Sequence, residues 1–552
     1  IEYIPTIHKH SFLRASNENS EAFSFNALKY YETVKNKEGW EDFKVVLGNE
    51  IYLCTEDVTP DNKKNNRYPH FILLALNANG HKCIRELSSL AWSHCFKDVM
   101  NRVPLYYSEL EEQMKKYKGD VVGSTACLGG ALPYRFLQFR ELEQNNPLEY
   151  QSIWQSCVDW VEYMNDIFGK GYFYLELQPS YNEEQIYVNQ KLIELSKETK
   201  TPYIITTDSH YLTKEDRYIH KIYLSSQDGE REVDDFYATT YVMSEQEIHE
   251  YMDESLGQEA VQTGIDNTML IYNMVEMYTL TKPLHIPYVP RNTDEPDVKL
   301  YNQFKDKINL LSYFYESEYP CDRHLVREIV KNIVNDIVYC SDRGYAAIDE
   351  CLSAIKITSE KMNVRWSAYL LQITDFVTIA WEAGTLVGPG RGSGVGFCLL
   401  DVLGITQINP LRETTRTYPW RFLNPERASV LDIDIDIESS KREVVVEALQ
   451  REYGADRISK VMTLTTETPK SAILTVARGM NINNDTAQYI ASMIISDRGT
   501  SRTLRQMYYG DSEEGFEPVT EFINEINKHE GLFENALNYS SDQTEYNKKE
   551  FK

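Results

Sequence analysis

Four prolines fall at positions 283, 287, 290 and 296, in Lys282-Pro-Leu-His-Ile-Pro-Tyr-Val-Pro and Asn292-Thr-Asp-Glu-Pro. Each removes a backbone donor and fixes φ, so no continuous helix can cross this stretch. It reads as a linker, 282–298, and the chain must fold on either side of it. Before it, short β-rich runs (Lys44-Val-Val-Leu, Gly171-Tyr-Phe-Tyr-Leu-Glu-Leu, Pro202-Tyr-Ile-Ile-Thr-Thr) alternate with helical patterns at 83–92, 154–168 and 185–197. That alternation predicts an α/β domain over 1–281 with a largely parallel sheet or barrel. After it, apolar pairs at 325/326, 329/330, 333/334 and 337/338 recur every four residues and predict one buried helix face. A second domain is expected over 299–480, then a polar helical segment over 481–552.

The chain has 552 residues, with 42% hydrophobic and 26% charged, a balance for several globular cores. Its length suits roughly three to four domains at ~150 residues each. No apolar run reaches a membrane span, and the first ten residues lack the layout of a signal peptide. Nine cysteines without a CxxC pair are neither a disulfide framework nor a zinc ribbon, and a reducing cytoplasm is the expected compartment. The net charge of -27 argues against coating nucleic acid through the overall field. Residues 382–480, however, carry 12 Lys and Arg against 13 Asp and Glu, so a local basic groove is compatible with that charge.

Two groups of residues carry chemistry. In the first, His8 and His10 flank Lys9, and Asp208 and His210 end the apolar run Tyr203-Ile-Ile with the same spacing. In a strand such pairs face one side, and carboxylate with imidazole suits zinc, manganese or iron. Two surface histidines, and an Asp capping a turn beside a hydrogen-bonded His, are the structural alternatives.

In the second, Val387-Gly-Pro-Gly-Arg-Gly-Ser-Gly precedes an apolar run, Val395–Gly404. Glycines admit an anion close to backbone N–H groups, a following helix start adds its dipole, and Arg391 can fork onto phosphate oxygens. The GK[ST] ending of a Walker A loop is absent, and a flexible turn is the alternative. Asp432, Asp434 and Asp436 alternate with Ile433, Ile435 and Ile437. In a strand the three carboxylates share one face, where like charges repel unless cations such as Mg²⁺ sit between them. A solvated strand face would more often mix Lys or Thr among the acids. Together, a phosphate cradle and paired carboxylates are a minimal kit for nucleotidyl transfer.

The order Gly388-Pro-Gly-Arg-Gly-Ser, Leu403-Gly-Ile-Thr-Gln-Ile-Asn-Pro-Leu, Arg421-Phe-Leu-Asn-Pro-Glu-Arg and Asp432-Ile-Asp-Ile-Asp resembles the palm of the bacterial and phage replicative DNA polymerase III alpha subunit, the C family. Tyr453-Gly to Lys470 and Val476-Ala-Arg478 continue the likeness over about 300–480. Likewise, the HxHS at 8–11, Leu47-Gly-Asn-Glu-Ile-Tyr, His70-Phe-Ile-Leu-Leu-Ala, Ser124-Thr-Ala-Cys-Leu-Gly-Gly and Thr206-Thr-Asp-Ser-His-Tyr-Leu resemble the PHP domain of those polymerases over most of 1–250.

The resemblance implies an α/β and α+β multidomain chain. Its parts would be a PHP-type distorted α/β barrel at 1–281, a polymerase-β-like nucleotidyltransferase palm at 299–480 and a partial helical thumb at 481–552. It implies metal ligands His8, His10, Glu50, His70, Cys127, Asp208 and His210 for Zn²⁺ or Mn²⁺ in the PHP domain. In the palm it implies catalytic Asp432 and Asp434 on Mg²⁺, with Asp436 as a third member of the run. Gly390, Arg391, Gly392 and Ser393 would hold the triphosphate, and Arg421, Lys470 and Arg478 would face phosphates. For Arg421 and Arg478, surface ion pairing is the alternative.

The family's Asp-His or Glu-His between the HxH and Gly-x-Glu motifs has no counterpart here, so a trinuclear site would lack two ligands. The palm also uses a further aspartate after the thumb, beyond Lys552, so this chain by itself is not expected to polymerise. The expected activity is template-directed DNA polymerisation on primer-template DNA with dNTPs. The sliding clamp and other replisome subunits would bind through further regions, and no membrane is involved. The alternatives are a PHP phosphoesterase or 3′–5′ exonuclease and a non-catalytic replisome assembly fragment.

Overall fold

The computed structural model describes residues 2–5, 11–14, 28, 31–32, 34–37, 39, 42–61, 67–95, 103–228, 235–412, 418–424, 426, 431–459, 467–497 and 500–540. These form two compact units, 1–280 with 463–552, and 281–462.

In the first unit, β1 (Glu2–Pro5) and β2 (Ser11–Arg14) pair antiparallel. The main sheet has β3 (Gly48–Cys54), β4 (His70–Ala75), β5 (Pro104–Tyr106), β6 (Val121–Ser124), β7 (Phe173–Leu177) and β8 (Tyr203–Ile205), in the order β5-β3-β4-β6-β7-β8. The β-rich runs at 171–177 and 202–207 supply β7 and β8. The run at 44–47 stays irregular and leads into β3. Three pairings are parallel, β3/β5, β6/β7 and β7/β8, while β4 runs antiparallel to both neighbours. The sheet is therefore mixed. Among the described residues it is open, with β5 and β8 each having one partner in place of the barrel closure expected.

Helices Ala78–Ser93, Pro147–Phe168 and Glu183–Thr199 cover the sheet where the 3.6-residue pattern predicts them. Asn77, Asn146 and Asn182 cap their first turns by accepting backbone N–H bonds. Phe71, Phe168 and Phe173 stack in the core at 5.8–6.1 Å between ring centroids. A Cβ on Gly123 would lie 2.7 Å from Phe168, so the sheet meets its helix only with glycine there.

The helix Pro469–Gly479 also belongs to this unit. Ile473, Val476 and Ala477 are buried with Ile222 of Arg217–Asp228 and with Phe522, Phe533 and Ala536. A Cβ on Gly479 would come 2.4 Å from the Ile222 carbonyl oxygen. The stretch 469–480, expected with the preceding domain, thus shares a core with the helices of 484–539. Its apolar face fits Ile222, and its small residues allow the close approach.

In the second unit, residues 281–297 form neither helix nor strand, as the prolines require. Backbone donors of Val289 and Arg291 reach Gln372 and Asp375 at 3.3 and 3.2 Å. The helices Pro320–Ile333, Asp342–Met362 and Trp366–Glu382 share a core that includes Leu325, Ile329, Ile348, Ile355 and Trp366. The predicted helix over 325–338 ends at Ile333. The 337/338 pair falls outside it, in a turn where Asp336 accepts from the Val338 and Tyr339 amides.

Among its described residues this unit has no β-strand, although an α+β palm is expected. Residues 431–437 are extended but make one bridge, Ile437 to Val387. Two backbone bonds support it, Gly388 N–H to the Asp436 carbonyl at 2.7 Å and Glu438 N–H to the Leu386 carbonyl at 3.1 Å. An alternating segment becomes a strand only when a full ladder partner lies beside it.

Candidate functional site

The alternation at 431–437 has the physical consequence the sequence predicts. Ile433, Ile435 and Ile437 pack against the core of the second unit, and Asp432, Asp434 and Asp436 are exposed. The bridge to Val387 brings the glycine-rich segment alongside. A Cβ on Gly388 would lie 3.0 Å from the Asp436 Cβ, and one on Gly392 would lie 3.5 Å from an Asp434 carboxylate oxygen. Glycine at these positions lets loop and carboxylates lie together.

Arg391 spans the two elements. Its Nη2 is 2.9 Å from Asp434 Oδ1 and its Nε is 3.7 Å from Asp436 Oδ1. The pair is solvent-exposed and contributes little to stability. Its meaning is positional, since the one cation of the loop lies on the acidic face. Ser393 lies in the short 3₁₀ turn Gly392–Gly396, followed by the five-residue helix Cys398–Val402. The expected helix start with a useful dipole is therefore a tight turn and a single short helix. Arg421 is exposed at the end of the turn Pro419–Arg421. The neighbouring Phe422 packs on Phe397 at 5.0 Å and so holds the Arg421 segment against the loop.

Three supports of this site escape sequence reasoning. Gln407 donates its backbone N–H to Pro389 O at 2.8 Å and its side-chain amide to Val387 O at 3.2 Å. Thr406 packs under Gly390, whose φ is +126°. Tyr369 lies close enough to Asp432 for burial and that carboxylate to push its phenol up. Thr406 and Gln407 fall within Leu403-Gly-Ile-Thr-Gln-Ile-Asn-Pro-Leu, but no motif signals Tyr369, and the contacts of all three follow from the path of the chain.

The donor set of Asp432, Asp434 and Asp436 is all oxygen, as Mg²⁺ requires. Their carboxylates do not gather into one tight three-ligand group here, and Arg391 supplies the neutralising charge. Lys470 and Arg478 lie in the other compact unit, exposed on Pro469–Gly479, where Arg478 Nη1 reaches the Ser226 carbonyl at 3.4 Å.

The structure gathers three of the metal ligands implied for the first unit. Ligand atoms of Glu50, His70 and Cys127 all lie within 4.8 Å of one another. β3 carries Glu50, and its register opposite β4 places Tyr52 across from His70. Cys127 follows β6, the other neighbour of β4. His70 Nδ1 is 2.5 Å from Glu50 Oε1 and 3.4 Å from Cys127 Sγ. Burial, with the Asp208 and Glu50 carboxylates, holds the Cys127 thiol well above its ordinary range. Carboxylate, imidazole and sulfur are a fitting set for Zn²⁺, whereas the sulfur is a poor ligand for Mn²⁺.

Asp208 is buried and adopts φ +46°, close enough for its charge to act on Cys127. His210 does not join the three-residue group. Its Nδ1 is 2.7 Å from the Asp208 carbonyl oxygen, and its ring packs on His220 and Tyr237. His8 and His10 lie outside the described residues. Glu176 was not anticipated; it is buried and accepts bonds from Ser124 and Thr206 at 2.5 Å each.

Comparison with known proteins gives two family matches. Residues 7–180 match the PHP domain, and residues 326–544 match the bacterial DNA polymerase III alpha NTPase domain. Similar proteins include "Probable DNA polymerase YorL" of Bacillus subtilis, 37% identical over 90% of this chain and 39% of that protein. "DNA-directed DNA polymerase" of Bacillus phage SPbeta has the same identity and coverage. The "DNA polymerase III subunit alpha" of Aquifex aeolicus is 28% identical over 89% of this chain and 39% of its own length. The chain thus spans about two fifths of the length of these curated relatives.

Proposed function

From the premise that the chain carries a PHP domain and a bacterial DNA polymerase III alpha NTPase domain, we propose that it serves template-directed DNA polymerisation, transferring dNTPs to a primer 3′ end. The observation that carries this reading is the 2.9 Å approach of Arg391 to Asp434, which joins phosphate loop and acidic segment in one place. Asp432 and Asp434 are the proposed Mg²⁺ ligands, with Asp436 beside them. Bound magnesium would supply activation of the attacking oxygen and charge stabilisation of the leaving one.

The chain's own groups bind and orient. The amides of Gly390, Gly392 and Ser393 border the triphosphate, and Arg391 exchanges its carboxylate partner for phosphate oxygens. That exchange suits a bidentate guanidinium. Arg421, Lys470 and Arg478 are proposed to face phosphates. Primer-template DNA is the proposed macromolecular substrate, with the sliding clamp and other replisome subunits as partners in a cytoplasmic setting. Among the described residues, no helix is long and apolar enough to cross a membrane.

The Glu50–His70–Cys127 group favours a second reading, a Zn²⁺-dependent phosphoesterase or 3′–5′ exonuclease in the PHP domain. Primer extension with Mg²⁺ and dNTPs separates the two. Since this chain by itself is not expected to polymerise, the comparison is made in a protein that also carries the region supplying the further palm aspartate, where Asp432→Ala/Asp434→Ala should lower extension by two or more orders of magnitude. Extension that survives the double substitution would reject the palm assignment.

A further inference from the structure

The glycine-rich segment enters its turn between two fixed edges. On one side Gly388 donates its N–H to the Asp436 carbonyl at 2.7 Å, which ties it to the acidic segment. On the other side lies Gln407. Its backbone N–H reaches the Pro389 carbonyl at 2.8 Å, and its side-chain amide reaches the Val387 carbonyl at 3.2 Å. Gln407 is anchored in turn through the two residues before it. The amides of Ile405 and Thr406 both donate to the Leu400 carbonyl, at 2.8 and 3.1 Å, in the short helix Cys398–Val402 that follows the loop. The chain therefore leaves the loop, passes through that helix and returns to close on the loop's own entrance.

These bonds sort the loop's polar groups. An anion is attracted by N–H and repelled by C=O, so a backbone cradle works only when its carbonyls are engaged elsewhere. Gln407 engages the carbonyls of Val387 and Pro389, which come just before Gly390. Among the described residues, none of the backbone N–H groups of Gly390, Gly392 and Ser393 has a hydrogen-bond acceptor. Thr406 backs the place where these open donors begin, since a Cβ on Gly390 would lie 2.9 Å from its Cγ2. Carbonyls held on one side and amides left open beside Arg391 are what an anion requires of this backbone.

The geometry points to Gln407 as a positioning residue for the incoming triphosphate. It holds the loop by two carbonyls, so that the amides at 390, 392 and 393 stay open to phosphate oxygens. It acts through the loop and not on the reacting atoms. The inference rests on the reading of the loop as a triphosphate cradle, and it adds a residue outside the cradle that sets the cradle's affinity.

The test is calorimetric titration of dTTP in Mn²⁺, beside titration of Mn²⁺ alone. Gln407 is exposed, and Gln407→Met keeps the length of its side chain while removing the amide donor. The melting temperature and the binding of Mn²⁺ alone should be unchanged. The dTTP affinity should fall about three- to tenfold, the scale of one neutral hydrogen bond. Gln407→Glu keeps the shape but offers only acceptors at neutral pH, and should lose at least as much. Arg391→Ala is the control for the cradle itself. Binding of dTTP that depends on Arg391 but is unchanged in Gln407→Met and Gln407→Glu would overturn this inference alone. A lowered melting temperature, with Mn²⁺ and dTTP binding weakened together, would make Gln407 merely structural and would overturn it too. Binding of dTTP that is absent from the parent, or indifferent to Arg391→Ala, would reject the cradle reading and the role of Gln407 with it.

Discussion

Gly390 has φ +126°, and a Cβ there would sit 2.9 Å from Thr406 Cγ2 and 3.1 Å from Thr406 Cβ. Gly404 is also left-handed, at φ +73°, but has nothing within 4 Å. Gly404→Ala should therefore cost only backbone strain, about 1 kcal/mol, whereas Gly390→Ala adds a clash and should cost about 2–3 kcal/mol. Denaturant unfolding of the two variants checks the difference. Since Gly390 precedes Arg391, Gly390→Ala should also weaken dNTP binding, while Gly404→Ala should not. At this scale the sequence was informative where spacing carries meaning. The alternation of Asp and Ile predicted which side chains face solvent, and Glu50, His70 and Cys127, read by resemblance, come together in space. Tyr369 and Glu176 were not legible, and the quoted motif that contains Thr406 and Gln407 did not reveal their contacts, because the neighbours are distant in the chain or the backbone makes the contact.

Helix Pro320–Ile333 shows how far periodicity reaches. Leu325, Val326, Ile329, Val330 and Ile333 are buried, yet Ile337, next in the same series, is 89% exposed. An apolar repeat tells which face is buried while the helix lasts, but not where it stops. Here the Asp336 carboxylate offers the backbone an alternative set of bonds, and the chain turns. Leu325→Ala should destabilise the protein by about 2–5 kcal/mol through lost burial and a cavity. Ile337→Ala should stay within about 0.5 kcal/mol. Equal losses on chemical denaturation would contradict this assignment of the helix. The segment 431–437 carries the complementary lesson. Its side chains alternate as in a strand, but backbone pairing depends on a partner that local pattern does not reveal.

For the whole molecule, the division after residue 280 falls at the edge of the proline-rich stretch. The second division, at 462/463, was not legible. It depends on the apolar face of Pro469–Gly479 meeting Ile222, a residue about 250 positions earlier in the chain. The strongly negative net charge is likewise uninformative about the site until it is resolved locally, where Arg391 stands against Asp434 and Asp436. This loop and these carboxylates are proposed to form one metal–nucleotide site. The most direct test of that site is paramagnetic titration of Mn²⁺ and dTTP. Mn²⁺-dependent dTTP binding is expected, falling at least tenfold with Asp432→Ala/Asp434→Ala and with Arg391→Ala. Mn²⁺-dependent binding that is absent from the parent, or unchanged in both variants, would contradict it.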